Sequence, residues 1–186
     1  MSPPVVPSNR HSMIATHSTT KVLPRLIVVL LAALACTAAG RPVVVGTVSR
    51  VVDGDTMVVQ LSSGPIRVRL YGIDAPEHNQ AGGAAATAAL RSLVSGARVE
   101  LDPVNQDRYN RMVARVLRDH VDVNAEMVRQ GNAWVYRRYL RREDRGWCAL
   151  ESEARKARRG LWAARGPLAP WDFRHHTSGA VVSSCP

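Results

Sequence analysis

Apolar and polar positions alternate from Ile66 to Tyr71, with Ile66, Val68 and Leu70 on one face and Arg67, Arg69 and Tyr71 on the other. That is the period of a half-buried strand. Gly72 ends the alternation, and two carboxylates, Asp74 and Glu77, follow at once around Pro76. Two further strands precede this one: VVVGTVSRVV (43–52), closed by the turn signal Asp53-Gly54, and TMVVQL (56–61), closed by SSGP. The alanine-rich stretch 84–94 places leucine and valine at helical spacing and predicts a short helix. RVELDP (98–103) and RMVARVLRD (111–119) read as a fourth and a fifth strand, the latter with Met112, Ala114 and Val116 facing away from Arg111, Val113 and Arg115. Beyond His120 the pattern turns helical: 122–131, with Asp122 as N-cap and Gly131 as its stop, and 148–162, with Gly160 as its C-terminal signal. From Gly166 the chain carries several prolines and a histidine pair without periodicity, and 176–186 reads as a mobile tail. Five short strands interrupted by one helix and followed by two predict a small closed barrel with helical buttresses, an α+β fold.

The first 39 residues stand apart from this pattern. LIVVLLAALAC (26–36) is an apolar run preceded by Lys21 and Arg25 and followed by small residues, the layout of a secretory signal. It is short for a membrane span. Cleavage after Ala35 or Ala39, an uncleaved N-terminal anchor and lipid attachment at Cys36 are all compatible with it, and Met13 is a candidate start. The reading places the protein outside the cell or in its envelope. Without those residues Cys148 and Cys185 remain, and in an oxidising compartment they either pair or stay free.

The formal net charge of the 186-residue chain is +10, and of its 25 basic side chains only Lys21 and Lys156 are lysines. Guanidinium groups present a planar fork of donors suited to phosphate. Low aromatic content argues against a binder of single strands that works mainly by stacking.

The acids near the third strand sharpen the picture. In a hairpin the start of the second strand and the end of the third lie at the same end of the sheet, so Asp55 and Asp74 approach each other without a long loop. Two such carboxylates call for a cation between them, and calcium accepts oxygen ligands at a flexible coordination number. Glu77 stands where it can take a proton from water. Arg69 projects from the same strand end toward growing phosphate charge, and Arg111 sits at a loop-to-strand junction. Each residue alone has a structural reading: Asp-Gly marks turns, Asp74 can initiate one, and Arg67 with Arg69 can be a solvated face.

Taken together, DGDT (53–56), RVRLYGIDAPE (67–77), DRYNR (107–111), VNAEMVRQGNAWVY (123–136) and ESEARKARRGLW (151–162) resemble the staphylococcal nuclease (thermonuclease) family in order and spacing. The resemblance, which runs from about Val44 to Trp162 within a domain read as 43–175, implies a five-stranded OB-fold barrel with three helices and a calcium-dependent phosphodiesterase acting on DNA and RNA, single strands preferred, as a monomer. By position it implies Asp55, Asp74 and the Ala75 carbonyl as calcium ligands, Glu77 as general base, and Arg69 and Arg111 as the phosphate-binding arginines. It implies Tyr109 near the bound nucleotide and leaves Tyr136 or Tyr139 as the stacking tyrosine. Family members cleave the P–O5′ bond and leave a 3′-phosphate.

Two departures are visible. The loop HNQAGGAAA after Glu77 is shorter than in the founding nuclease and carries Gly82-Gly83; mobility there would alter how Glu77 is held, and so rate more than fold. In WVYRRYLRRED (134–144) arginines stand beside the tyrosines, which predicts stronger backbone electrostatics and less base stacking. The rival reading is a non-catalytic OB module that binds nucleic acid or a protein. Such modules keep the barrel and lose the acids, whereas here all five side chains are present. His175-His176 with Cys148 and Cys185 makes a poor zinc site, because adjacent histidines reach one metal badly and no C-x-x-C brackets them. The four tryptophans read as packing residues.

Overall fold

The computed structural model describes residues 43–176 and Cys185. The signal or anchor reading of 1–39, and most of the tail reading of 176–186, fall outside the described residues. Within them no helix is long and apolar enough to cross a membrane.

Eight strands are present among the described residues: β1 (Val44–Val51), β2 (Thr56–Leu61), β3 (Gly64–Leu70), β4 (Ile73–Asp74), β5 (Arg98–Gln106), β6 (Met112–Arg118), β7 (Val121–Asp122) and β8 (Trp134–Val135). The main sheet runs β3-β2-β1-β5-β6-β7, and β3 pairs in parallel with β6 through Val68↔Met112, Arg69↔Val113 and Leu70↔Ala114. That pairing closes β1, β2, β3, β5 and β6 into the expected five-stranded barrel. Alternation supplies its interior: Val48, Met57, Val59, Val68, Leu70, Val99, Leu101, Ala114 and Val116 are all buried. Irregular register between Val48 and Arg50 in β1, and between Pro103 and Asn105 in β5, bends these strands. The second irregularity explains why β5 continues to Gln106 although the sequence pattern stops at Pro103: a proline is tolerated where the ladder is already broken.

Four α-helices among the described residues accompany the barrel: α1 (Gly83–Val94), α2 (Val123–Arg129), α3 (Trp147–Lys156) and α4 (Pro170–His175). Helix α1 buries Ala86, Leu90 and Val94, and α2 buries Val123, Met127 and Val128. The ends of α2 are those expected. Asp122 accepts the Ala125 N–H at 3.0 Å, and Gly131, at φ +75, lets the Asn132 N–H reach Met127 O at 2.8 Å. A side chain there is barred twice over, since a Cβ on Gly131 would lie 2.3 Å from Arg159 O.

Three expectations need correction. The helix predicted over 148–162 stops at Lys156, because Arg158 takes a left-handed conformation (φ +51) and the Arg159 N–H closes on Ala154 O at 3.0 Å. Gly160 therefore lies beyond the cap, and Gly160–Ala163 form a separate 3-10 turn. The segment after Gly166, which lacks a long enough repeat to show periodicity, contains α4, with Pro170 at its start and Asp172 in its first turn. Tyr71 does not share the solvated face of Arg67. It lies past the end of β3, is 3% exposed, packs edge-on against Trp147 at 5.9 Å, and bonds through its hydroxyl to Asp144 Oδ2 at 3.1 Å.

Buried polar groups tie the helices to the barrel. Asn124 accepts the Val116 N–H at 3.0 Å and donates to Tyr71 O at 2.9 Å and Ala114 O at 3.2 Å, so one amide satisfies three backbone groups. Cys148 on α3 is bonded to Cys185, which resolves the open pairing and removes both sulfurs from any metal. Glu151, 1% exposed, accepts the Val135 N–H of β8 at 3.4 Å and faces Arg155 at 3.4 Å.

Burial pushes the Glu151 carboxyl above its ordinary value of 4.5, only partly countered by Arg155 and backbone N–H groups. A carboxyl raised in the folded state keeps its proton after the unfolded chain has lost it, so stability falls as pH rises from about 4.5 through the folded value. Glu151→Gln keeps the acceptor for Val135 and removes the titration. Thermal melts should show the variant gaining on the parent protein between pH 4.5 and pH 8; a constant difference across that range would contradict the linkage.

Candidate active site

Strand register builds the site. Thr56 pairs with Arg69 across β2 and β3, so Asp55, one residue before Thr56, lies beside the end of β3, and the Leu70 N–H bonds to Asp55 O at 2.8 Å. After the Gly72 turn, β4 brings Asp74 back to the same end, where it pairs with Trp134 of β8. Asp55 is 3% exposed and Asp74 fully buried. Arg69 lies between them: Nη1 donates to Asp55 Oδ1, and Nη2 donates to Asp74 Oδ1 at 2.7 Å. Asp55 Oδ1 also accepts the Thr56 hydroxyl at 3.0 Å, and Oδ2 accepts the Ala75 N–H at 2.9 Å.

The electrostatics follow from burial. Removing Arg69 from water opposes its charge, but Asp55 and Asp74 outweigh that and hold its pKa above the ordinary arginine value. Burial pushes Asp74 up, against the pull of Arg69 and Arg174. Asp53, which accepts the Asp55 N–H at 3.0 Å, is pushed up to about 6 by burial and by the Asp55 charge.

Arg111 reaches the same mouth from the loop between β5 and β6. Asp107 Oδ1 accepts the N–H groups of Tyr109 (2.9 Å) and Arg111 (3.0 Å), while Oδ2 accepts Arg111 Nε at 2.7 Å. These bonds prevail over slight burial and lower the Asp107 pKa. Arg111 Nη1 lies 3.5 Å from the Thr56 hydroxyl, the group that also bonds Asp55. Tyr109 is 61% exposed, with the Arg108 and Arg111 guanidiniums 4.8 and 5.4 Å from its ring centre.

Glu77 stands at the rim, its side chain 38% exposed. The loop after it is closed tightly. The Glu77 N–H bonds to Gln80 Oε1 at 3.1 Å, the Gln80 N–H returns to Glu77 O at 2.9 Å, and Gln80 Nε2 donates to Leu168 O at 2.7 Å. Gly83 opens α1 so close to this turn that a Cβ would fall 2.0 Å from Glu77 O. Gly83 thus serves close packing under Glu77, and Gly82 close packing against Leu161, where the sequence suggested looseness.

Of the two tyrosines left open, Tyr136 stacks on Trp171 at 5.2 Å and 18°, so one face of its ring is covered. Tyr139 meets Tyr136 edge-on at 4.8 Å and is 57% exposed. The structure therefore brings Asp55, Arg69, Asp74, Ala75, Glu77 and Arg111 to one end of the barrel, with Tyr139 the more open ring.

Three residues escaped the sequence reading. Asp107 had a signal, since an aspartate four residues before an arginine across a turn is a local clamp. Gln80 had none, because its role is to join two loops far apart in sequence. Arg174 of α4 donates through Nη2 to Asp74 Oδ2 (2.6 Å) and through Nη1 to Glu77 Oε1 (2.6 Å); only the Pro170 and Asp172 helix-start signals hinted at its element.

The donor set suits a hard cation. Two buried carboxylates and a backbone carbonyl offer oxygen only, and the space between Asp55 and Asp74 already accommodates positive charge in the form of Arg69. Among the described residues no cluster of three histidine, cysteine or acidic side chains forms a metal cage, so such an ion would rely on carbonyl and water ligands as well.

Residues 67–164 match the family described as staphylococcal nuclease homologue. The chain is 44% identical over 131 residues to an "uncharacterized endonuclease" of Escherichia coli O157:H7, spanning 70% of this chain and 84% of that protein. It is 37% identical over 145 residues to the micrococcal nuclease of Shigella flexneri, spanning 73% and 83%. An "uncharacterized endonuclease" of Haemophilus influenzae is 38% identical over 129 residues, spanning 68% and 71%.

Gln80→Ala should lower unfolding free energy by about 2 kcal/mol, the cost of leaving a loop N–H and a carbonyl unpaired. Urea denaturation measures it; a change under about 0.5 kcal/mol would show that water replaces the amide.

Proposed function

We propose, for a chain that belongs to the staphylococcal nuclease family, an exported hydrolase that cleaves phosphodiester bonds of DNA and RNA with calcium and leaves 3′-phosphate ends. The observation that carries this reading is the convergence of two buried carboxylates, two arginines and a rim glutamate on one end of the barrel. Barrels that only bind nucleic acid have no need to bury Asp55 and Asp74 there.

Asp55, Asp74 and the Ala75 carbonyl would hold the calcium ion, which supplies positive charge against the scissile phosphate. The chain's own residues do the rest. Glu77, at the rim and open to solvent, accepts a proton from the attacking water. Water oxygen bonds to phosphorus as the P–O5′ bond breaks, and the leaving 5′-oxygen takes up a proton. Arg69 uses two of a guanidinium's five N–H groups on Asp55 and Asp74, which fixes its plane and leaves donors for a phosphate oxygen. Arg111 is oriented by Asp107 and shares the Thr56 hydroxyl's neighbourhood, so its free edge meets the same phosphate. Tyr109 and Tyr139 flank the mouth as exposed rings for the adjoining nucleosides.

Hydrolysis of single-stranded DNA should require calcium and stop with chelator. Glu77→Gln should lower turnover by at least ~10²-fold while the far-ultraviolet spectrum stays unchanged. Cutting that survives both chelator and the substitution would sink the mechanism. DNA binding without cutting in the unsubstituted protein would instead favour the non-catalytic module.

Export rests on residues 1–39, whose apolar run and flanking basic residues match a secretory signal. Expressed with those residues, the protein should appear outside the cytoplasm with an N-terminus at Cys36 or Gly40. N-terminal sequencing of the mature form decides it, and recovery of intact Met1 or Met13 from the cytoplasm would overturn it.

A further inference from the structure

Arg174 lies ten residues beyond the segment that matches the family, yet it touches the centre of the site. Its guanidinium spans two carboxylates. Nη2 bonds Asp74 Oδ2 at 2.6 Å, while Nη1 bonds Glu77 Oε1 at 2.6 Å and Asp74 Oδ1 at 3.3 Å. Among the described residues this is the hydrogen bond that the Glu77 carboxylate makes to another side chain.

The contact is built rather than casual. Helix α4 is pinned through Trp171, 7% exposed and stacked on Tyr136, and through Ala169, which packs with Trp134 and Leu161. Just before the helix, Leu168 O receives Gln80, the residue that also holds the Glu77 N–H. The loop bearing Glu77 and the helix bearing Arg174 are thus joined at two points, one through backbone and one through charge.

Resting on the nuclease reading above, the geometry points to Arg174 as a positioning residue with two opposed effects. It fixes the Glu77 carboxylate, a partly exposed side chain with several rotamers, at a set place relative to Asp74. Because it bonds both oxygens of Asp74, it also stands against any divalent cation that uses that carboxylate. The charged groups facing it are Asp74 and Glu77, with Asp55 and Arg69 behind them. Removing one positive charge from this group strengthens its hold on a cation, while releasing Glu77 slows the reaction.

These effects separate in Arg174→Gln and Arg174→Lys of the purified full chain. Calcium affinity is read by isothermal titration calorimetry, and kcat and KM are read on single-stranded DNA at saturating calcium. Arg174→Gln should bind calcium about tenfold more tightly, the scale of one screened charge. Its kcat should fall about tenfold with KM within about threefold, as expected for a misplaced base. Arg174→Lys keeps the charge but offers a single ammonium that cannot bridge both carboxylates in plane. It should return calcium affinity to within about threefold of the parent without restoring kcat.

Only that opposed pair of changes supports the assignment. Loss of both calcium affinity and kcat in Arg174→Gln would mark a merely structural contact. No change in either would mark a surface ion pair, and any other pairing likewise overturns the proposal. If the unsubstituted protein binds DNA but cuts none with calcium, the nuclease reading fails and takes this one with it. An active parent with indifferent variants removes only the role given to Arg174.

Discussion

Two carboxylates at the mouth of the barrel, Asp55 and Asp74, are almost closed off from water, and the guanidinium of Arg69 between them is what makes that burial tolerable. A buried carboxylate without a partner is costly enough to change protonation state or disrupt the fold. The hairpin of β2 and β3 therefore has two tasks. It must pair Val59 with Ile66 and Met57 with Val68, and the same register must set Thr56 opposite Arg69. A slip of one residue would turn Arg69 toward the core and Leu70 toward solvent. The packing that closes the barrel and the charge pairing that builds the site are thus one constraint read at two positions.

Successive layers each restrain the one inside it. The parallel contact of β3 with β6 brings the β5–β6 loop to the same end, where Asp107 turns Arg111 inward. Pairing of β4 with β8 holds Asp74, and Glu151 of α3 fastens β8 from behind. Gln80 couples the Glu77 loop to the chain just before α4, and α4 adds Arg174. Fixing a few side chains to this accuracy requires support from elements more than a hundred residues apart, from β2 to α4.

The same arrangement carries an internal tension. Positive side chains stabilise the acids when no metal is bound, and acids so well matched to arginine are less available to a cation. On the proposed calcium reading, such a site would gain order in the resting state at the expense of metal affinity. How far each arginine shifts that balance depends on how it is tethered: Arg69 by a core strand, Arg174 by a six-residue helix pinned through aromatic rings.

Period and punctuation alone determined the barrel strands and the first two helices, while the order of five short motifs carried the resemblance to the family. Alternation of period two needs only local sterics, and Asp122 and Gly131 act within their own turns. The acids and arginines at Asp55, Arg69, Asp74, Glu77 and Arg111 were legible because they stand in short motifs whose order survives without any knowledge of distance. Tertiary structure alone decided the rest. Tyr71 leaves the face its alternation assigns because β3 ends at Leu70 and the turn carries its ring against Trp147. Helix α3 stops early at Lys156, because Arg158 turns left-handed and backbone hydrogen bonds close the final turn before Gly160 is reached. The disulfide, the bridge made by Gln80 and the reach of Arg174 to Asp74 and Glu77 join residues 37, 88 and about a hundred positions apart. No local pattern encodes such contacts, because they exist only once the barrel has brought distant segments within the 3 Å range of a hydrogen bond.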